Sequence, residues 1–451
     1  MSRLFGTDGV RGIANKELTP DLAYRLGWAG ALVLSGENSH RPVILVGTDT
    51  RISCGMLESA LVAGICAAGA DAFIGGVIPT PGIAYLSRKY KCDAGVVISA
   101  SHNSYEYNGI KFFSGSGYKL PDDTEERIED LIQSYETGDF ERPVGSGIGR
   151  RIEKKYASHD YAEHLKRRMS VDLSGLKIGL DCANGASAHI APALFSDLGA
   201  EVCAIGIEPD GTNINDRCGS THLDRLRQLV RRESCDIGIA FDGDADRMLA
   251  VDENGIEVDG DVIMAIIAHD MHEQGALRDD TLVVTVMSNL GLDIMARDIG
   301  LNLVKTKVGD RYVLEEMLRC GYNIGGEQSG HIILLDDATT GDGLLSALRL
   351  MRALVSHGQR LSDARHIMRV LPQVLRSARV PNDKKARALE DTDIMSLIGK
   401  MESQLQDCGR VLVRQSGTEP IIRVMIEGED REQIAKMADQ LTELIVSRYG
   451  A

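Results

Sequence analysis

Short continuous apolar runs alternate along the chain with longer stretches in which apolar positions recur every three to four residues. Thr19-Pro20 marks a helix start, a capping hydroxyl followed by proline at the first helical position. Leu22, Ala23, Leu26, Ala29 and Leu32 then repeat at helical spacing. Beyond them the pattern predicts a strand at 42–46, a helix at 56–68, and strands at 71–77 and 94–98. Runs that are continuous rather than alternating belong to strands covered on both faces, as in an α/β sheet.

The pattern restarts twice. Strands are expected at 176–180, 201–206 and 236–241 around a helix at 190–198, with a hairpin at Asp252-Glu253-Asn254-Gly255. A helix at 262–272 and strands at 281–286 and 303–307 follow. Charged connectors around 141–155 and 380–388 read as boundaries. The last stretch differs, with a helix, paired strands at 410–414 and 421–426, and a helix from 430 to 449. The fold class is therefore α/β: three successive mixed-sheet domains, 1–154, 155–254 and 255–368, then a small α+β domain, 369–451. The first three are of comparable length without visible sequence repetition, so a triplicated unit is only suggested.

Composition narrows the function. With 451 residues there is length for three or four domains, and 43% hydrophobic and 26% charged residues are ordinary for a soluble protein. A net charge of −16 and only 4% aromatic residues argue against nucleic acid or an anionic membrane as partner. The nine cysteines are odd in number, widely spaced and without a C-x-x-C, so they read as small, buried, reduced hydrophobes. Met1-Ser2-Arg3-Leu4-Phe5-Gly6 has no apolar signal region, and no stretch approaches ~18 unbroken apolar residues, so a cytoplasmic location is expected.

The most informative local pattern is Phe241-Asp242-Gly243-Asp244-Ala245-Asp246-Arg247, three carboxylates at i, i+2 and i+4 after a buried strand. Such charges converge on a hard cation, and oxygen-only ligands favour Mg²⁺ or Ca²⁺. Asp242, Asp244, Asp246 and Glu253 also fit positions 1, 3, 5 and 12 of an EF-hand loop. Arg247 stands where that loop needs glycine, and the flanks read as strands, so the EF-hand is rejected. A solvated acidic turn is the bland alternative.

Ser99-Ala100-Ser101-His102-Asn103-Ser104 ends the strand at 94–98, where α/β folds place their sites, with Asn108 and Lys111 close behind. A serine beside a histidine carries little alone, and no G-x-S-x-G supports acyl transfer. Arg414-Gln415-Ser416-Gly417-Thr418-Glu419-Pro420, with Arg423, offers guanidinium, hydroxyl and backbone donors suited to a phosphate dianion. Gly325-Gly326-Glu327-Gln328-Ser329-Gly330-His331 could read sugar hydroxyls. The pieces Gly6–Gly12, Thr48-Asp49-Thr50-Arg51 and Lys307–Arg311 each read alone as ordinary surface loops. Neither G-x-x-x-x-G-K-[ST] nor G-x-G-x-x-G occurs, so a nucleotide donor is not expected.

Taken in order from Phe5–Gly12 to Arg414–Pro420, these motifs resemble the α-D-phosphohexomutase superfamily over essentially the whole chain. The resemblance implies four domains around a central cleft, each contributing one motif. It implies a phosphoryl group on Ser101 and one Mg²⁺ per site held by Asp242, Asp244, Asp246 and that phosphoserine. Arg247 would stand beside this centre, with Arg11, His102 and Lys111 on the serine side. Lys307, Glu327, Ser329 and His331 would face the sugar, and Arg414, Ser416, Gly417, Thr418 and Arg423 the non-reacting phosphate.

The implied activity interconverts glucosamine 6-phosphate and glucosamine 1-phosphate through a 1,6-bisphosphate, feeding UDP-N-acetylglucosamine synthesis. A glucose- or glucosamine-1,6-bisphosphate would serve as primer, and the protein would be a monomer or homodimer. Mannose or glucose phosphates are the alternative substrates; a Mg-dependent sugar phosphatase and a non-catalytic sugar-phosphate sensor are the rivals of other classes. One departure stands out: Ser104 occupies the place where the family's serine loop commonly has proline.

Overall fold

A computed structural model describes residues 3–6, 8–35, 40–138, 140–416 and 419–450. The chain divides into two compact units, Met1–Met287 with Leu301–Ile367, and Ser288–Gly300 with Met368–Ala451. The larger unit holds three sheets. In the first, β1 (Val10–Ile13), β2 (Val43–Thr48), β3 (Asp71–Val77), β4 (Ala94–Ile98), β5 (Tyr107–Ser114) and β6 (Arg151–Glu153) lie in the order β1-β5-β4-β2-β3-β6. The second contains β7 (Lys177–Asp181), β8 (Glu201–Ile205), β9 (Ile237–Phe241), β10 (Met248–Asp252) and β11 (Glu257–Val258), ordered β11-β10-β9-β7-β8. The third contains β12 (Thr281–Thr285), β13 (Asn302–Thr306), β14 (Ile324–Gly326) and β15 (Ile332–Leu334), ordered β13-β12-β14-β15.

Without β1, β6 and β11, the three sheets share one order: β5-β4-β2-β3, β10-β9-β7-β8 and β15-β14-β12-β13. In each, the first three strands are parallel and the fourth turns back antiparallel on the third. The unit is triplicated in topology even though its sequence does not repeat. The turn between third and fourth strands carries the serine loop in the first sheet, the three aspartates in the second and Glu327–His331 in the third. Equivalent turns at the C-terminal ends of parallel strands are where this architecture leaves backbone free for ligands.

The first helix, Pro20–Leu34, starts as its sequence predicts, Thr19 Oγ1 accepting the Leu22 N–H at 3.2 Å. The connectors are not bare loops: the 141–155 stretch contains β6, which adds to the first sheet parallel to β3, and the 380–388 stretch runs into the short helix Lys385–Leu389. All nine cysteines are free; five are buried, whereas Cys66, Cys203 and Cys320 are half-buried and Cys408 is exposed.

In the smaller unit, β16 (Gln373–Arg379), β17 (Arg410–Gln415) and β18 (Ile421–Glu427) form an antiparallel sheet in the order β16-β18-β17. The helices Thr392–Leu405 and Arg431–Tyr449 cover it, packing Ile394, Ile434 and Leu441 on Val374, Ile422 and Val424. Asn289, ahead of the helix Leu290–Ile299, exchanges two hydrogen bonds with the Leu371 backbone, at 2.9 and 3.0 Å.

Candidate active site

Ser101 lies just past β4, buried, with a backbone φ of +52°. Its N–H donates to Ser99 Oγ at 3.0 Å. Its hydroxyl donates to Asp242 Oδ2 at 2.6 Å, joining the turn after β4 to the turn after β9. His102 Nδ1 stands 3.5 Å from the same hydroxyl.

Asp242, Asp244 and Asp246 are all buried, and one ligand oxygen from each falls within 4.8 Å of the others. Asp242 Oδ1 accepts the Arg247 N–H at 3.2 Å, which closes the turn. Asp244 Oδ2 accepts from Thr80 Oγ1 at 2.7 Å and from Lys111 Nζ at 2.9 Å. Asp246 faces His331 Nδ1 at 3.6 Å and Arg247 Nε at 3.8 Å. Burial, with Asp246 and Asp244 adding repulsion, pushes the Asp242 carboxyl well above the usual range. Burial opposes ionisation of Asp246 too, but His331 and Lys111 hold its carboxylate low. Asp244 Oδ1 and Asp246 Oδ1 have no hydrogen-bond donor among the described residues. Three buried, converging carboxylates, two of them with an oxygen left without a donor, are the all-oxygen donor set that a hard divalent cation takes, so these residues fit Mg²⁺.

A second layer of charge surrounds this group. Lys111, on β5 and buried, also reaches Asp8 Oδ2 at 3.0 Å, and Arg11, on β1, pairs with Asp8. Lys119 Nζ bridges Asp8 Oδ1 at 2.9 Å and Asp310 Oδ2 at 2.6 Å. Asp310 in turn lies 3.3 Å from His331 Nε2. Burial would lower Lys111, but Asp244, Asp8 and Asp246 hold it protonated. The same contest keeps His331 raised, burial losing to Asp246 and Asp310. The structure thus gathers Ser101, Arg11, His102, Lys111, Arg247, His331 and the three aspartates.

Glu327 accepts the Gly309 N–H at 3.1 Å in the turn after β14, which Gly330 closes at φ +90°. Ser329 and Lys307 are exposed, Lys307 Nζ lying 5.7 Å from the Tyr312 ring. In the smaller unit Arg414 and Arg423 are direct cross-strand partners on β17 and β18. Arg423 pairs with Glu419 at 2.8 Å, whereas Arg414 has no carboxylate partner among the described residues. Burial and the like charge of Arg423 opposite it together lower Arg414. Ser416 is buried and its Oγ accepts the Glu419 N–H at 3.2 Å; Gly417 and Thr418 lie outside the described residues.

Sequence reasoning missed several participants. Lys119 stands outside every motif, and Asp8 and Asp310, in segments read as ordinary surface loops, join it in one charge network only on folding. Thr80 begins the helix Thr80–Lys89, and its backbone N–H also donates to Asp244 O at 3.0 Å. Lys385 is buried and donates to the carbonyls of Ser416 (2.8 Å) and Glu419, fixing that loop. The Thr48–Arg51 segment, read as a surface loop, has Asp49 and Arg51 fully buried as an ion pair. The paired opposite charges Asp49 and Arg51 directly after a predicted strand were the available signal.

Four family models match in chain order, the phosphoglucomutase/phosphomannomutase alpha/beta/alpha domains I (2–139), II (159–255) and III (259–370) and the C-terminal domain (375–444). Curated relatives include the phosphoglucosamine mutase of Acetivibrio thermocellus, 57% identical over 450 residues and covering 100% of both chains. That of Clostridium novyi is 56% identical over 451 residues, again with 100% of both chains. Among solved structures, a phosphoglucomutase/phosphomannomutase family protein from Burkholderia thailandensis superposes with a TM-score of 0.81 at 22% identity, covering 99% of this chain and 98% of that one. Aspergillus fumigatus N-acetylphosphoglucosamine mutase, solved with GlcNAc-6P and magnesium, gives 0.67 at 17% identity over 99% and 96%. With four ordered domain matches and full-length relatives joined to this geometry, the chain belongs to the phosphoglucomutase/phosphomannomutase family, the α-D-phosphohexomutase superfamily.

Proposed function

We propose that the chain is a mutase interconverting glucosamine 6-phosphate and glucosamine 1-phosphate, with Ser101 as the residue that carries phosphate. The observation that carries this reading is the Ser101 hydroxyl, 2.6 Å from Asp242 in a buried trio of carboxylates ringed by Lys111, Arg247 and His331. The glucosamine assignment is supported by the full-length relatives of that name at 56–57% identity.

Asp242, Asp244 and Asp246 would hold Mg²⁺, which when bound supplies positive charge beside the phosphoryl oxygens. In the forward half-reaction the bond from phosphorus to Ser101 Oγ breaks and one to the sugar hydroxyl forms. The hydroxyl proton passes to His102, whose imidazole pKa is lowered by burial, whereas Lys111 is held protonated and His331 is raised; it returns to the sugar oxygen when the second transfer breaks that oxygen's bond to phosphorus. The resulting 1,6-bisphosphate reverses its orientation, and its 6-phosphate returns to Ser101, leaving glucosamine 1-phosphate. Arg11, Lys111 and Arg247 contribute fixed charge that needs no reorganisation during transfer. Glu327, Ser329, Lys307 and His331 orient the sugar, and Arg414, Ser416, Gly417, Thr418 and Arg423 take the phosphate that is not reacting.

The test is Ser101→Ala assayed on glucosamine 6-phosphate primed with a sugar 1,6-bisphosphate, with phosphopeptide mapping of the parent enzyme. Loss of turnover and phosphate on Ser101 are expected; a variant with undiminished activity overturns the serine relay. Equal kcat/KM on glucose 1-phosphate or mannose 1-phosphate would overturn the glucosamine assignment and leave the relay standing.

A further inference from the structure

Ser101 is not glycine, yet its backbone sits at φ +52°, a conformation that a side chain disfavours and that persists only where surroundings enforce it. The enforcing contacts fall on its carbonyl side. Ser101 O accepts from Arg51 Nη2 at 3.1 Å and from Asn215 Nδ2 at 2.9 Å. Asn103 O, two residues on, accepts from the same two groups, at 2.6 and 2.9 Å. Both carbonyls are thus gripped from two directions. Each donor is fixed in its turn: Arg51 is ion-paired with buried Asp49, and the Asn215 N–H donates to Ala183 O at 2.9 Å. Arg51 follows β2 in the first sheet's domain, whereas Asn215 lies between β8 and the helix Asp224–Glu233 of the second. The aspartate turn closes against the same point. A Cβ on Gly243 would lie 2.6 Å from Ser101 O and 2.9 Å from Asn215 Nδ2, so only glycine lets the two turns meet here.

We infer that Arg51 and Asn215 form a two-sided clamp that sets the Ser101 turn and holds its hydroxyl in line with Asp242. They are positioning residues, acting through Ser101. This inference rests on the mutase reading above. It adds that the seam between the first two domains sets the competence of the carrier serine, and does more than hold the domains together.

Asn215→Asp tests it, because it keeps the shape of the side chain but removes the N–H donors that grip both carbonyls. Arg51→Lys is the companion, keeping the charge against Asp49 without the planar donor that spans two carbonyls. Turnover of glucosamine 6-phosphate and the single-turnover rate of Ser101 phosphorylation by a sugar 1,6-bisphosphate are measured, each normalised to folded protein by circular dichroism. We expect both rates to fall at least tenfold in each variant, with KM within about threefold of the parent. Rates within twofold of the parent in either variant would overturn the clamp. So would losses confined to KM, or losses that vanish once folded protein is counted. Ser101→Ala run alongside separates the two ideas: if it is inactive while Asn215→Asp is normal, the relay stands and the clamp falls.

Discussion

Asp342 lets a buried charge be weighed against a helix cap. Its Oδ1 accepts the Leu345 N–H at 3.0 Å, capping the helix Gly343–His357, and its Oδ2 accepts the Tyr161 hydroxyl at 2.7 Å. Burial outweighs those bonds and pushes the carboxyl up from 3.8 to about 6. The folded state therefore holds this proton more tightly than the unfolded chain. The stability it contributes is present below about pH 4 and lost as pH rises through 6. A shift of about two units is worth roughly 3 kcal/mol in full.

Asp342→Asn keeps the cap, since asparagine caps as well as aspartate, and removes the ionisation. The stability of the variant relative to the parent should therefore improve by about 2–3 kcal/mol between pH 4 and pH 7.5. Urea unfolding at a series of pH values reads this, with the slope m required to match between the two proteins. A difference that does not change with pH, or an asparagine variant less stable at pH 7.5, would refute the reasoning. Because the Gly343 N–H donates to Ala245 O at 3.0 Å, the same helix start supports the aspartate turn. Magnesium affinity should stay within about threefold if the cap is intact.

Three further outcomes are expected. Saturating magnesium should raise the parent's melting temperature, by the equivalent of about 2.7 kcal/mol at a hundred times its Kd, and Asp246→Asn should lose both that rise and most turnover; an equal rise in both would place the cation elsewhere. Gly330→Ala puts a Cβ 2.1 Å from Met248 O at φ +90°, so it should cost about 2–4 kcal/mol of stability and raise KM by moving Glu327, as denaturation and steady-state kinetics would show. Arg414→Ala should raise KM at least tenfold while leaving stability unchanged or up to ~1 kcal/mol higher, because Arg423 loses its like-charged neighbour; calorimetry and kinetics together check it.

The helix behind Thr19-Pro20 and the apolar strands of the parallel cores were legible because their signals are local. A capping oxygen, a proline and an apolar period report on the residues that bear them. β16 was missed for the converse reason: in Gln373–Arg379 only Val374 and Ala378 are buried, and Val374-Leu375 is too short an apolar run, flanked by polar residues, to mark a strand. It is a strand because β18 supplies a seven-residue register beside it. The 48–51 segment misled for a related reason, since charged residues read as exposed until their buried partners are known.

The sequence by itself determined the chemical inventory: three carboxylates in one turn, a serine at a strand end, two arginines beside a glycine-bearing loop, and a resemblance that joined them in order. Only the tertiary structure decided which of these meet. Ser101 and Asp242 are 141 positions apart with their side-chain oxygens 2.6 Å distant, while Lys119, outside every motif, joins Asp8 and Asp310 from two separate segments in one charge network. Local patterning records which face of an element turns inward. Strand order places each of these turns at the same position in its sheet, and contacts between the first two domains bring the serine and aspartate turns together, where loss of solvent gives their charges their strength.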